Sequence, residues 1–245
     1  NNTLGIKEVD YLITDRNLIY ENEKNEYSEK IIYLPKIWNC HSGYDVKRLK
    51  HDLPANKNNF ITFGSFNNFL KINDDVVKVW SSILKNVPNS KLILKTSIPT
   101  ANTIILEKFK QNGINNSVEF LKYNKSFEDH LNEYKKVDIA LDTFPWNGVT
   151  TSFEAIWMGV PVLTMKGFNF NSRCGETINQ NLGLKELIAE NQNDYISKAS
   201  LISGNKKKLE ETRNKVFMNA LESPLFDGKK FSKSFFECIQ NIHKN

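Results

Sequence analysis

Between residues 59 and 165, short apolar runs alternate with segments whose apolar positions recur every three or four residues, the pattern of strands interleaved with amphipathic helices. The pattern predicts strands at 60–63, 91–95, 118–121 and 137–141, and a fifth that Pro161 opens. It predicts helices at about 74–86, 103–111 and 127–135, with Val76, Val77, Trp80, Ile83, Leu84 and Val87 forming the apolar stripe of the first. A shorter helix at 153–158 is almost wholly apolar and is ended by Gly159. Five short strands separated by helices imply an α/β architecture, a Rossmann-like, doubly wound parallel sheet covered on both faces.

After residue 165 strand signals stop, and helices are predicted at 170–181, 194–202, 206–221 and 229–243. At the other end, two strand-like runs at 11–14 and 31–34 flank a polar stretch, too little for a domain of their own. The division that follows is residues 1–40 as the end of a preceding α/β lobe, 41–58 as a polar linker, 59–222 as the main lobe and 223–245 as a terminal helix. Because the chain opens on Asn1 and enters a strand at once, it reads as the C-terminal part of a longer protein. No repeat of helical-array length is evident.

Composition excludes several classes. A hydrophobic fraction of 40% in 245 residues supports a globular core, and a formal charge of +5 is too small and too dispersed for a nucleic-acid-binding face. Lys206, Lys207 and Lys208 sit in a helical stretch and read as a solvated face. No run nears the roughly 20 apolar residues that cross a bilayer, and the first residues lack the basic-then-apolar pattern of a signal peptide. Cys40, Cys174 and Cys238 lie far apart, without metal-ligand or disulfide spacing, which suits a reducing, cytoplasmic setting.

Ligands of open α/β sheets bind beyond the carboxyl ends of the strands, so the segments after each strand are where chemistry is expected. After the first come Gly64, Asn67, Asn68 and Lys71: close backbone approach, two amides and a cation. After the third come Lys125 and, a turn into the helix, His130, whose imidazole could lie against a nucleobase or simply face solvent. After the fourth, Pro145, Asn147 and Gly148 break regular structure, and Thr150, Thr151 and Ser152 offer hydroxyls where a helix begins. The first amides of a helix lack partners and sit at its positive end, which favours a phosphate there. Glu154, on that helix's first turn, can accept from ribose hydroxyls or merely complement the dipole. After the fifth strand, Arg173 could meet a phosphate or pair with Glu176. Cations, amides, hydroxyls and a carboxylate on one edge form the inventory for a sugar nucleotide. Neither G-x-G-x-x-G nor G-x-x-x-x-G-K-[ST] occurs, and no metal-ligand cluster or Ser-His-Asp arrangement is evident.

The segments GSFNNFLKI at 64–72, VWSSILKNVPNSKLILK at 79–95, VDIALDTFPWNGVTTSFEAIWMGVPVLTM at 137–165 and SRCGETINQNLGLKELIAENQNDY at 172–195 resemble the catalytic region of protein O-linked N-acetylglucosamine transferases, including bacterial and SPINDLY-type relatives. The resemblance spans most of the chain in motif order, with VDYLITD and YSEKIIYLP similar to the end of that family's N-terminal lobe. It implies the C-terminal lobe of a GT-B glycosyltransferase with a fragment of the N-terminal lobe, and a final helix returning to the latter. It further implies inverting transfer from UDP-GlcNAc to protein Ser or Thr hydroxyls, with no metal and no cofactor beyond the sugar-nucleotide donor. Within the GT-B class, a glycan, lipid or Asn acceptor remains an alternative, as does a non-catalytic nucleotide-sugar-binding module. By the resemblance Lys71 is catalytic and stabilises the departing diphosphate, Asn68 lies near the nucleotide, His130 by the base, Thr150 and Thr151 cradle phosphate, and Glu154 takes the ribose position. Three residues depart from the family pattern: Val149 replaces a histidine, Asn68 a glutamine, and Phe127 a nucleotide-contacting lysine, with Lys125 nearby. With the acceptor-side residues expected upstream of Asn1, the isolated chain is expected to be an incomplete enzyme.

Overall fold

The computed structural model describes residues 3–96 and 98–244; the first two positions of the expected N-terminal segment, Ser97 and Asn245 lie outside the described residues. Among the described residues, six strands form one all-parallel sheet: β3 (Thr62–Ser65), β4 (Lys91–Lys95), β5 (Val118–Leu121), β6 (Ile139–Leu141), β7 (Val162–Met165) and β8 (Ile188–Ala189). Their order across the sheet is β5-β4-β3-β6-β7-β8. The sixth strand corrects the expectation that strands stop at 165. Its two residues, paired as Thr164 with Ile188 and Met165 with Ala189, are too few to show any periodicity.

Helices α2 (Asp74–Asn86), α3 (Pro99–Gln111), α4 (Phe127–Asn132), α5 (Thr150–Trp157), α6 (Cys174–Leu182), α7 (Gln192–Ser203) and α8 (Lys206–Glu222) surround this sheet. The stripe read on α2 is buried, with Val76, Val77, Trp80 and Ile83 closed to solvent. Asn73 caps that helix by accepting from the Val76 amide at 2.9 Å. The helix expected at 127–135 changes at residue 133 into a tighter 3-10 turn, Glu133–Lys136. One continuous core runs from Phe63 and Leu92 through Ile139, Ile156 and Leu163 to Leu187 and Leu209.

Residues 41–58 carry a short helix, α1 (Pro54–Asn58), and are pinned to the lobe. The buried carboxylate of Asp138 accepts from the amides of Ala55 at 3.0 Å and Thr62 at 2.7 Å, while Arg48 donates to the carbonyls of Trp157 and Phe217 at 2.8 Å each. Strands β1 (Tyr11–Thr14) and β2 (Lys30–Tyr33) pair in parallel as a separate sheet. A small cluster of Leu18, Ile19 and Ile31 packs there with Cys174, the first residue of α6. The last helix, α9 (Gly228–Lys244), runs past this segment, leaving a cavity of about 570 Å3 between Leu34, Ile37 and its Phe231. No helix among the described residues is long and apolar enough to cross a membrane.

Candidate functional site

The strand order reverses direction between β3 and β6: the chain leaves β3 toward β4 on one side and leaves β6 toward β7 on the other. The loops that follow those two strands therefore diverge and open a crevice at the carboxyl edge of the sheet. Loop 66–68 and loop 142–149 face each other across it.

Loop 142–149 is organised by a carboxylate that the sequence reading passed over. Asp142, at the end of β6, is buried. Its Oδ1 accepts from the amides of Gly148 at 2.6 Å and Thr143 at 2.9 Å, and its Oδ2 from the Thr164 hydroxyl at 2.8 Å. Burial pushes its pKa up to about 6, with the amide of Gly148, the hydroxyl of Thr164 and the charge of Lys71 opposing. Asn147 fastens the same loop to α6, since its Oδ1 accepts from the Gly175 amide at 3.1 Å and its Nδ2 donates to the Thr143 carbonyl at 2.8 Å. Gly148 is required by close approach: a Cβ there would lie 2.6 Å from Thr151 Oγ1 and 2.8 Å from Asn67 Oδ1.

The residue before α5 is Val149, which offers no side-chain cap. Among the described residues the amides of Thr150 and Thr151 thus have no acceptor, and they stand at the positive end of the helix. Thr150 is exposed beside them. Thr151 spans the crevice, donating from Oγ1 to Asn67 Oδ1 at 3.0 Å. Ser152 is instead buried and turned back onto the Gly148 carbonyl at 3.2 Å, so it shapes the loop and offers nothing to the crevice.

Across from this helix end, Asn68 caps a 3-10 turn, Phe69–Lys71, by accepting from the Leu70 amide at 3.0 Å. The turn carries Lys71 to the loop, where its ammonium donates to the Asn147 carbonyl at 2.8 Å and lies 5.1 Å from the centre of the Trp146 ring. Burial pulls the pKa of Lys71 down, while the charge of Asp142 pushes it back. A half-desolvated cation beside free helix amides is an arrangement that stabilises a diphosphate.

Next to loop 66–68 lies a cavity of about 480 Å3, into which Asn67, Asn68, Lys125, His130 and Glu154 all border. Its size and mixed lining suit a nucleoside. Lys71, Gly148, Thr150 and Thr151 belong to the adjoining crevice, joined to the cavity through the Thr151–Asn67 bond. Glu154 is nearly closed to solvent and its Oε2 is engaged by His130 Nε2 at 3.0 Å and the Tyr134 hydroxyl at 3.0 Å. Tyr134 and Lys95, which also meets His130, were not singled out in the sequence: one reads as helix core, the other as the polar flank of a strand. No cluster of three His, Cys, Asp or Glu among the described residues could hold a metal.

Arg173 stands apart from both sites. Its guanidinium makes a two-point bond to Glu23 at 2.5 and 2.7 Å, donates to the carbonyls of Leu18 at 3.1 Å and Gly167 at 3.0 Å, and stacks on Tyr20 at 3.9 Å. It ties the N-terminal segment to α6. The alternative partner weighed from sequence, Glu176, accepts from Tyr20 at 3.2 Å.

The chain is similar over its whole length to plant proteins named as probable UDP-N-acetylglucosamine–peptide N-acetylglucosaminyltransferase SPINDLY. Identity is 34% to that of Solanum lycopersicum and 32% to that of Arabidopsis thaliana, covering 100% and 99% of this chain but 26% and 27% of those proteins. It spans about a quarter of the length of these relatives. Among solved structures, an O-GlcNAc transferase of Thermobaculum terrenum superposes with a TM-score of 0.78 at 26% identity, covering 95% of this chain and 46% of that one. A sucrose-phosphate synthase of Thermosynechococcus elongatus superposes with a TM-score of 0.67 at 13% identity, over 96% of this chain and 58% of that one, a likeness of fold alone. The architecture is the Rossmann-like, GT-B type expected from the sequence. With its match extending over residues 41–235, the chain belongs to glycosyl transferase family 41.

Proposed function

We propose that this chain holds the sugar-nucleotide donor, UDP-GlcNAc, of a transferase that glycosylates protein Ser and Thr hydroxyls with inversion. The observation that carries the reading is the meeting, at the reversal of strand order, of the Lys71 ammonium and the uncapped α5 amides beside a nucleoside-sized cavity. The names borne by the plant relatives support the donor and a peptide acceptor. In the proposed step the acceptor oxygen bonds to the anomeric carbon as the carbon–oxygen bond to the diphosphate breaks; the electron pair stays on the departing phosphate and the hydroxyl proton is released to solvent. Lys71 and the amides of Thr150 and Thr151 meet that charge, while Asn68, Lys125 and His130 border the nucleoside. Because the chain is about a quarter of its relatives' length, transfer is proposed for the whole protein and donor binding for the chain. We place the protein in the cytoplasm, where the free thiols of Cys40, Cys174 and Cys238 remain reduced.

Calorimetric titration of the chain with UDP and GDP tests this. Saturable binding that weakens on Lys71→Met is expected; wild-type protein that binds neither nucleotide overturns the donor assignment.

A further inference from the structure

Lys95, the last residue of β4, heads a hydrogen-bonded line along the wall of the nucleoside-sized cavity. Its Nζ lies 2.5 Å from His130 Nδ1 and also donates to Asn124 Oδ1. His130 Nε2 lies 3.0 Å from Glu154 Oε2, and the Tyr134 hydroxyl shares its one proton between that oxygen at 3.0 Å and the Thr151 carbonyl at 3.1 Å. The rings of Phe66 and Phe127 flank the imidazole with centroids 6.0 and 5.8 Å away.

The direction of the line follows from its ends. An ammonium has donors and no lone pair, so Nδ1 must accept from Lys95 and carries no proton of its own. The proton of a neutral imidazole then resides on Nε2, which faces a carboxylate oxygen able to receive it. Burial pulls the Lys95 pKa down, but the charges of Glu133 and Glu154 push it back toward the protonated form. Glu154 Oε2 is thereby filled from inside the protein, whereas its Oε1 has no hydrogen-bond partner among the described residues. Glu154 borders the cavity.

We propose that Lys95 is a positioning residue: by occupying His130 Nδ1 it fixes the Nε2–H form, locks Glu154 through it, and presents Glu154 Oε1 to the vicinal hydroxyls of a bound pentose. Removing the lysine frees the ring to carry its proton on either nitrogen, and one of those forms sets a lone pair against the carboxylate. The proposal rests on the reading that this cavity takes the nucleoside of the donor, and it assigns Lys95, which also lines that cavity, a role exerted through His130 and Glu154.

Nitrogen NMR of the 15N-histidine-labelled chain reads the tautomer without any ligand, with His130→Gln assigning the signals. Wild-type protein should show His130 protonated on Nε2 only, Lys95→Met a mixture, and Lys95→Arg the wild-type form. Loss of one charge-assisted bond should weaken UDP binding about tenfold in Lys95→Met, with Lys95→Arg recovering most of it. The loss should shrink to about twofold for 2′-deoxy-UDP, because the hydroxyl that reads Glu154 is gone. Wild-type protein that binds no UDP overturns the donor reading. Wild-type protein that binds UDP while His130 carries its proton on Nδ1, or a Lys95→Met loss equal for UDP and 2′-deoxy-UDP, overturns this inference alone.

Discussion

The ammonium of Lys71 rests on the carbonyl oxygen of Asn147 at 2.8 Å, so the cation from one side of the crevice is held by the loop on the other. Neither residue could hold that position alone: the lysine is placed by a single 3-10 turn, and the asparagine by its bonds to Thr143 and Gly175.

Lys71→Met retains the alkyl stem and removes the charge. We expect transfer by the whole protein to fall about 100-fold to 1,000-fold, as when one preorganised donor to a developing anion is lost. The isolated chain should bind UDP about tenfold less tightly. Steady-state kinetics and calorimetry read the two effects; wild-type turnover in the variant would remove Lys71 from the mechanism.

Gly148→Ala should damage the crevice more than the fold. Its Cβ would sit 2.6 Å from Thr151 Oγ1, 2.8 Å from Asn67 Oδ1 and 3.1 Å from Asp142 Oδ1, parting the contact that joins loop 66–68 to α5. Overpacking of this kind costs about 1–3 kcal/mol. Gly228→Ala, where a Cβ meets nothing within 4 Å, is the control and should stay within about 0.5 kcal/mol. Urea melts and UDP titrations of both variants make the comparison, and equal behaviour of the two would contradict it.

Arg173→Ala should separate stability from donor binding. The pair with Glu23 is buried on the arginine side, and its bond to Arg173 holds the Glu23 carboxyl below its ordinary pKa. Removing the arginine should cost about 1.5–3 kcal/mol, because the largely buried Glu23 carboxylate keeps only the Tyr20 amide as a donor among the described residues. Glu23→Ala combined with Arg173→Ala should recover part of that loss. UDP affinity of the folded variant is expected to change less than about twofold; a large loss of affinity would return Arg173 to the donor site.

Asp142 predicts a pH dependence of definite sign. Its pKa rises from 3.8 to about 6 on folding, so between those values the folded chain holds a proton that the unfolded chain has released. Stability from this group therefore falls as pH rises through the window, with a slope approaching about 1.4 kcal/mol per pH unit. Asp142→Asn keeps an acceptor for the amides of Gly148 and Thr143 and cannot ionise. The stability of wild type minus that of Asp142→Asn should decline from about pH 4 to about pH 6 and then level off. A difference independent of pH would show that the carboxyl does not titrate there.

Local signals carried much of the architecture. The buried run at β6, the breakers at Pro145 and Gly148 and the hydroxyls of Thr150 and Thr151 announce strand, turn and helix through backbone preferences that act within a few residues. The two-residue β8 was invisible because pairing with β7, rather than its own pattern, makes it a strand. The site was legible as an edge and less so as a set of partners. Arg173 and Lys125 looked alike from their strand-end positions, yet Glu23, 150 positions from Arg173 in the chain, claims it. Asp142 and Lys95 passed unnoticed for a related reason: their roles lie in bonds to Gly148, Thr164 and His130 that depend on which loops face each other.

The segment that carries β1 and β2 is fastened to α6 and the arginine that opens it, through Asp15 to Thr177 at 2.8 Å, Tyr20 to Glu176 at 3.2 Å and Glu23 to Arg173. At its first turn α6 gives the Gly175 amide to Asn147, the residue whose carbonyl seats Lys71. The helix is thus a shared strut, stitched to the N-terminal piece on one flank and to the lysine's perch on the other. It cannot slide or tilt without breaking one row of stitches or dragging the perch along.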